Sequence, residues 1–195
     1  MIIGIAGVAG SGKDTLFKIL SSKINCIRFS LADELKKEVQ PWCIQHYGID
    51  SLNCERSEKE LIRDFLVFHA KTKRNASEGR HWIDKINPKV ISAAETDEIP
   101  VITDIRYDDY SNDEVSWLKN EIKGVLVHVS MITLSGESVP PANEEEARND
   151  PKLIAKADFK VRWPWKPKAE DLEKELSPYV DELLFQIGYD RLGIK

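Results

Sequence analysis

Residues 7–15 carry the chain's first chemistry: Gly7-Val8-Ala9-Gly10-Ser11-Gly12-Lys13-Asp14-Thr15, preceded by the apolar run Ile2–Ala6. The frame Gly-x4-Gly-Lys is that of a loop that cradles phosphate. Gly7, Gly10 and Gly12 let backbone N–H groups converge on one point, with Ser11 between them. A helix beginning at Lys13 adds the positive end of its dipole to that point. Lys13 supplies a full charge to terminal phosphates, so a polyphosphate nucleotide is the natural occupant. The Ser or Thr that normally follows the lysine is replaced by Asp14, with Thr15 next. Either can serve Mg²⁺, which prefers oxygen ligands and keeps several waters; the spacing leaves the choice between them open.

A second constellation lies at 99–106, Ile-Pro-Val-Ile-Thr-Asp-Ile-Arg. The apolar run ends at Asp104, which puts its carboxylate at a strand C-terminus, where such groups support a metal ion or a metal-bound water. Arg106, two residues on, points to the same side of an extended chain. A carboxylate and an arginine side by side suit phosphoryl transfer, one organising metal or acceptor and the other offsetting charge. A structural Asp–Arg pair is the plain alternative. Arg63 sits among Leu61, Ile62, Phe65 and Leu66, and an arginine in an apolar stripe needs an anion, either a substrate phosphate or a buried carboxylate. Trp82 is either a core indole or a platform for a nucleobase. The other basic residues nearby, Arg56, Lys59, Lys71, Lys73, Arg74 and Arg80, read as a solvated helix face.

The elements that must position these groups alternate. Apolar runs at 2–6, 26–29, 99–103, 125–129 and 158–162 read as strands, and between them lie stripes at helical spacing. One is Leu61, Phe65 and Phe68; another runs from Trp82 to Ala94, with Pro88 kinking or restarting it. Alternation of this kind predicts an α/β fold of three layers, a parallel sheet covered on both faces. About seventy residues, 30–98, separate the second and third strands, too many for one crossover, so a helical insert is expected there. Residues 130–151, with Pro140, Pro141 and the acidic run Glu144–Glu146, read as a loop or lid. Ligands in such sheets bind beyond the strand C-termini, where the phosphate loop, insert and lid should meet.

Composition narrows the classes. At 195 residues the chain fits a single domain, 1–195, carrying the insert and lid. A net charge of −5 offers no basic field for nucleic acid. No stretch is long enough to span a membrane, and the apolar start lacks a basic leader, so a cytoplasmic protein is expected. Cys26, Cys43 and Cys54 read as reduced thiols, and His46, His69, His81 and His128 as surface or packing residues without metal-ligand spacing.

Taken in order, Ser11–Thr15, Leu31-Ala32-Asp33-x-Leu35-Lys36, the arginine-bearing helix around Arg63, Arg80-x-Trp82 and Asp104-Ile105-Arg106 resemble the phage-type deoxynucleoside monophosphate kinases. These belong to the nucleoside monophosphate kinase group of P-loop proteins. The resemblance covers residues 1–130 loosely. It implies a P-loop NTPase fold with a five-stranded parallel sheet in the order 2-3-1-4-5, an acceptor-binding insert and a lid. It also implies ATP with Mg²⁺ as donor and a deoxynucleoside 5′-monophosphate as acceptor. On it, Lys13 looks like the donor-phosphate lysine, Arg63 an acceptor-phosphate ligand, Trp82 a base-stacking residue, and Asp104 and Arg106 the acceptor-side pair. Asp33 lies near the acceptor entry. Arg148 is the one arginine of the lid, closing on the phosphates or lying at the helix surface beside its acids. In related kinases the loop after the last strand flanks the adenine.

The partners implied are small-molecule nucleotides, with a homodimer compatible with the sequence. Rival readings are a P-loop kinase of another small metabolite, such as a coenzyme A precursor or phosphorylated alcohol, and a nucleotide-dependent switch or accessory ATPase. Against the switch, no Asn-Lys-x-Asp guanine signature is present.

Overall fold

All four residues of the first strand, β1 (Ile3–Ala6), are buried, because this strand runs through the centre of a sheet with layers on both sides. A computed structural model of the chain describes residues 1–165 and 172–189. Next come α1 (Lys13–Lys23), β2 (Cys26–Phe29), α2 (Leu31–Tyr47), α3 (Arg56–Ala76), α4 (Arg80–Ala94) and β3 (Ile99–Ile105). After them come α5 (Glu114–Ser116) running into a π-type turn at Trp117–Glu121, β4 (Val125–Ile132), α6 (Glu144–Lys156), β5 (Phe159–Pro164) and α7 (Leu172–Ile187). The sheet order is β2-β3-β1-β4-β5, every pairing parallel, as expected for a P-loop fold.

Side chains alternate across the sheet. Ile3, Ile5, Val101, Val127, Val129 and Val161 face α1 and α7. Ile2, Ala6, Ile102 and Leu126 face the other layer, where they meet Ile83, Ile86 and Val90 of α4 and Leu118. Residues 30–98 are the expected helical insert, built of α2, α3 and α4. Helix α4 runs unbroken through Pro88, against the expected kink or restart. Pro88 lies on the exposed face, so water can reach the carbonyl left unpaired one turn back.

The phase of α3 also differs from expectation. Its buried stripe is Ile62, Leu66 and Arg74, while Leu61 is 80% exposed and Phe68 69% exposed. The segment expected as a lid is irregular only in part. β4 continues to Ile132, and the last stretch is already α6, capped by the Asn143 side chain on the Glu146 amide at 2.9 Å. Among the described residues, no helix is long and apolar enough to cross a membrane, and all three cysteines are free thiols.

β5 supports the phosphate loop from below. Trp163 is fully buried, and its indole N–H donates to the Ser11 carbonyl at 3.0 Å. Gly12 has φ +94°, and a Cβ there would stand 2.7 Å from the Trp163 ring. Both the left-handed backbone and the close ring demand glycine. Gly12→Ala should therefore lower stability by about 2–4 kcal/mol, read as a reduced melting temperature, since strain and overpacking add. An unchanged melting temperature would contradict the packing described.

Candidate active site

The loop between β1 and α1 closes on itself. Ser11 N–H donates to the Val8 carbonyl at 3.1 Å, and Leu16 N–H to the Gly12 carbonyl at 2.9 Å as α1 begins. Lys13 reaches back over the loop, its ammonium donating to the carbonyls of Gly7 at 2.7 Å and Val8 at 2.9 Å. Burial, then the neighbouring Arg106 charge, holds its pKa below the usual lysine value. Gly7, with φ +142°, lets the loop pass 2.4 Å (Cβ position) from the Val129 carbonyl. The Ser11 hydroxyl is buried without a partner. Asp14 is exposed and forms no ion pair among the described residues, with Thr15 beside it in the first turn of α1.

Asp104 stands where expected, at the end of β3, but its two oxygens are already engaged. Oδ1 accepts from Leu31 N–H at 2.9 Å, and Oδ2 from Ala32 N–H and the Ser30 hydroxyl, both at 2.8 Å. The carboxylate caps the N-terminus of α2 and so anchors the insert to the sheet. Arg106, two residues on, is exposed and makes no ion pair among the described residues; only its backbone N–H is tied, to Glu114 Oε2 at 2.6 Å.

A cleft of about 650 Å³ opens beside the phosphate loop. Ala9 lines one side, Lys36 of α2 and Lys59, Arg63 and Lys71 of α3 the other, with Arg106 and Tyr107 at its floor and Ala142–Glu146 over it. It leads into a recess of about 130 Å³ between the insert and β3, walled by Leu31, Leu35, Ala70 and Trp82 and bordered by Arg74, Asp104 and Glu114. Ala32, Leu35, Ala70, Lys71, Arg106 and Tyr107 line both spaces, so they form one continuous site.

Several expected residues take different surroundings. Arg63 is not embedded in apolar contacts: its side chain is 53% exposed and paired with Glu60 one turn earlier, leaving it at the rim of the cleft. Arg148 turns away from the phosphate loop to Asp109, 3.3 Å away, so it lies at the surface beside acids. Asp33 pairs with Arg28 at 2.6 Å and Lys36 at 3.3 Å and borders neither cleft nor recess. Trp82 is 6% exposed and forms recess wall, edge-on to His81. The loop expected to flank an adenine falls at 166–171, outside the described residues.

Three groups escaped the sequence reading. Arg74, counted there among solvated bases, is buried, bonded to Asp113 and stacked 3.9 Å from the Tyr107 ring centre. Its signal was the four-residue spacing from Ile62 through Leu66 and Ala70. Glu114 is buried with its pKa raised to about 8, by burial and then by the adjacent Asp113 charge. Glu146 reaches from α6 to the phosphate loop, its two oxygens accepting from Ala9 N–H at 3.2 and 3.1 Å. Glu145 beside it faces Lys71 at 3.7 Å. The acidic run thus covers the cleft and places carboxylates against a loop amide and a cleft lysine.

Among solved structures, the chain is similar to a dephospho-CoA kinase from Campylobacter jejuni, at 14% identity over 97% of this chain and 98% of that one, with a TM-score of 0.53. That likeness and the strand order decide the architecture. The chain has the fold of the P-loop kinases. A shikimate kinase from Aquifex aeolicus aligns with it over 99% of both chains at 18% identity, with a TM-score of 0.44. Neither a family model nor a curated protein sequence matches the chain. Glu146 occupies the Ala9 amide, which would otherwise be free to donate to a phosphate oxygen held by the loop. Glu146→Ala should therefore tighten ATP binding about fivefold by calorimetry, the worth of one modest charge-assisted hydrogen bond. Unchanged or weaker binding would remove Glu146 from that role.

Proposed function

We propose that the protein transfers the γ-phosphoryl group of ATP to a deoxynucleoside 5′-monophosphate, giving the diphosphate. The observation that carries this reading is the continuous path from the phosphate loop, through a cleft lined by Arg106, Lys71 and Arg63, to a largely apolar recess walled by Trp82. The loop suits the donor's phosphates. The basic cleft suits the acceptor's phosphate, and the recess suits a flat ring rather than a second charged group. A likeness to phage-type deoxynucleoside monophosphate kinases in the residues of the loop and insert favours a nucleotide over another phosphorylated metabolite.

The chain's own groups do little covalent chemistry, because a monophosphate oxygen is already a competent nucleophile. Positioning and charge neutralisation are the work. Lys13 is held over the loop by two carbonyls and can exchange them for donor phosphate oxygens. Arg106, with its guanidinium unpaired and close enough to Lys13 to depress its pKa, stands where donor and acceptor phosphates would meet. Asp14 and Thr15 offer hard oxygen donors beside the loop, with Asp14 in no ion pair among the described residues, which fits a nucleotide-borne Mg²⁺ that needs only one or two protein oxygens. Bound there, the ion would neutralise charge on the polyphosphate. Withdrawal of Glu145 and Glu146 from Lys71 and Ala9 would open these sites to phosphate, and return of α6 over the cleft would exclude water.

The direct test is ADP formation from Mg·ATP with dAMP, dGMP, dCMP, dTMP and their ribose counterparts. Stimulation by at least one is expected, and Lys13→Ala should abolish it. A flat panel with ATP bound would turn the assignment toward another small-metabolite acceptor. Arg106→Ala should lower kcat about a hundredfold with ATP affinity retained. Loss of ATP binding alone would contradict its place between the two phosphates.

A further inference from the structure

Helix α3 carries two apolar stripes, and the fold buries one of them. Ile62 and Leu66 turn inward, together with Arg74. Leu61 and Phe68 stand on the opposite face, open to water. Phe65 lies half-buried between the two stripes and stacks on Trp42 of α2, with ring centres 4.4 Å apart and planes 25° apart. Tyr47 meets the same indole edge-on at 5.1 Å. Trp42 and Tyr47 are themselves exposed, so Leu61, Phe65, Phe68, Trp42 and Tyr47 form one surface patch across two neighbouring helices. Other exposed large apolar side chains, such as Leu134 and Phe185, sit on separate elements. Single apolar residues at a surface need no partner, whereas a contiguous patch marks a contact surface.

The charges around this patch are divided along the helix. In the first half of α3, Glu58, Glu60 and Asp64 are all exposed beside the Leu61 stripe. Lys59 and Arg63 of that half line the cleft instead, and Arg56 stands at the helix start, one turn before the patch begins. Beyond Phe65 the helix contains no acid, and Lys71 is exposed beside Phe68. Asp64 makes no ion pair among the described residues, and Lys71 has only Glu145, at 3.7 Å. A second α3 lying antiparallel on this face sets the acids of each copy against the lysine of the other, at both ends at once, and aligns the two helix dipoles favourably. Turned about a twofold axis near the middle of the helix, Leu61 and Asp64 of one copy come beside Phe68 and Lys71 of the other.

We propose that this face is a self-complementary interface through which two copies of the chain pair, with their α3 helices antiparallel. The patch runs along a helix of 21 residues, about 30 Å long, and across two adjacent helices, about 20 Å wide. That is about 600 Å² per copy and about 1,200 Å² in all, the lower end of stable specific interfaces. The aromatic rings of Trp42, Tyr47, Phe65 and Phe68 supply much of this area with few rotatable bonds to fix. An isologous face is used up by one partner, so assembly stops at two. The same helix carries Lys59, Arg63 and Lys71 of the cleft, so pairing would steady one wall of the cleft in each copy. The pairing does not depend on which acceptor the cleft takes, and the aromatic surface it uses has no part in phosphoryl transfer.

The test is analytical ultracentrifugation of the full-length protein without substrate, from about 1 to about 200 μM, which spans the weak end of affinities for an interface of this size. A single monomer–dimer equilibrium is expected, with a dissociation constant in the micromolar range or below. A monomer at every concentration would overturn the proposal, and so would growth beyond two copies.

Phe68→Glu, at an exposed position, should keep the far-ultraviolet circular dichroism of the original and weaken pairing at least about thirtyfold, since it buries an unpaired charge twice across the axis. Leu61→Glu probes the same face and decides if the first variant does not fold. A dimer of unchanged strength in either folded variant would put the contact elsewhere and overturn the assignment. Asp64→Lys should weaken pairing about fivefold, and adding Lys71→Glu to the same chain should restore it, because each reversed charge then meets a reversed partner. No recovery in the double variant would overturn the antiparallel arrangement. Association is measured without nucleotide, so each outcome is separate from that of the monophosphate panel.

Discussion

Everything at the active edge depends on one carboxylate at the end of β3. Asp104 takes three hydrogen bonds from the first turn of α2, two from backbone N–H groups and one from the Ser30 hydroxyl. A buried charge without a cation is ordinarily costly, but a helix N-terminus supplies both unpaired donors and a positive dipole end. These bonds join the end of β3 to the first turn of the insert, next to the Arg28–Asp33 pair that ties β2 to the same turn. Leu31, Ala32 and Leu35 follow directly from that anchored turn and form recess wall. The position of the recess relative to the phosphate loop therefore depends strongly on side-chain chemistry at one residue.

The same edge satisfies its charges internally. Lys13 donates to the carbonyls of its own loop, Lys71 faces Glu145, and the Ala9 amide is taken by Glu146. These acids stand at the first turn of α6, where a helix dipole favours them. A phosphate oxygen entering this space would replace a carboxylate or carbonyl oxygen as acceptor, so the exchange would need little new desolvation and the competition would moderate affinity. Arg106, like Lys59 at the cleft wall, makes no ion pair among the described residues, which leaves its charge available to a substrate.

The parallel sheet and the phosphate loop were legible because each rests on a strong local signal, buried β-branched runs, glycines at fixed offsets and a helix directly after, whereas the strand order came from the family resemblance alone. The long helical insert was legible from its length. The phase of α3 was not. Leu61, Phe65 and Phe68 form as good a stripe as Ile62, Leu66 and Ala70, one residue apart, and periodicity alone cannot rank two adjacent stripes. The helix buries the second, so attention fell on Arg63 when the buried arginine is Arg74. Asp104 was found, but its capping role depended on where α2 begins in space. Arg148 was drawn to Asp109, a partner thirty-nine residues away that no local pattern reveals.

Glu114 shows how the two ends of the site are tied together. Its Oε2 holds the backbone N–H groups of Arg106 and Tyr107, the residues that border both cleft and recess. Arg106 lines the cleft and Tyr107 stacks on Arg74, so one buried carboxyl fixes the turn from which both project. Burial, and then the neighbouring Asp113 charge, raises the pKa of this carboxyl to about 8, while the two backbone N–H groups it accepts tie the turn to the start of α5. Burial at this point is thus more than packing, since it brings the carboxyl to the two amides that it orders.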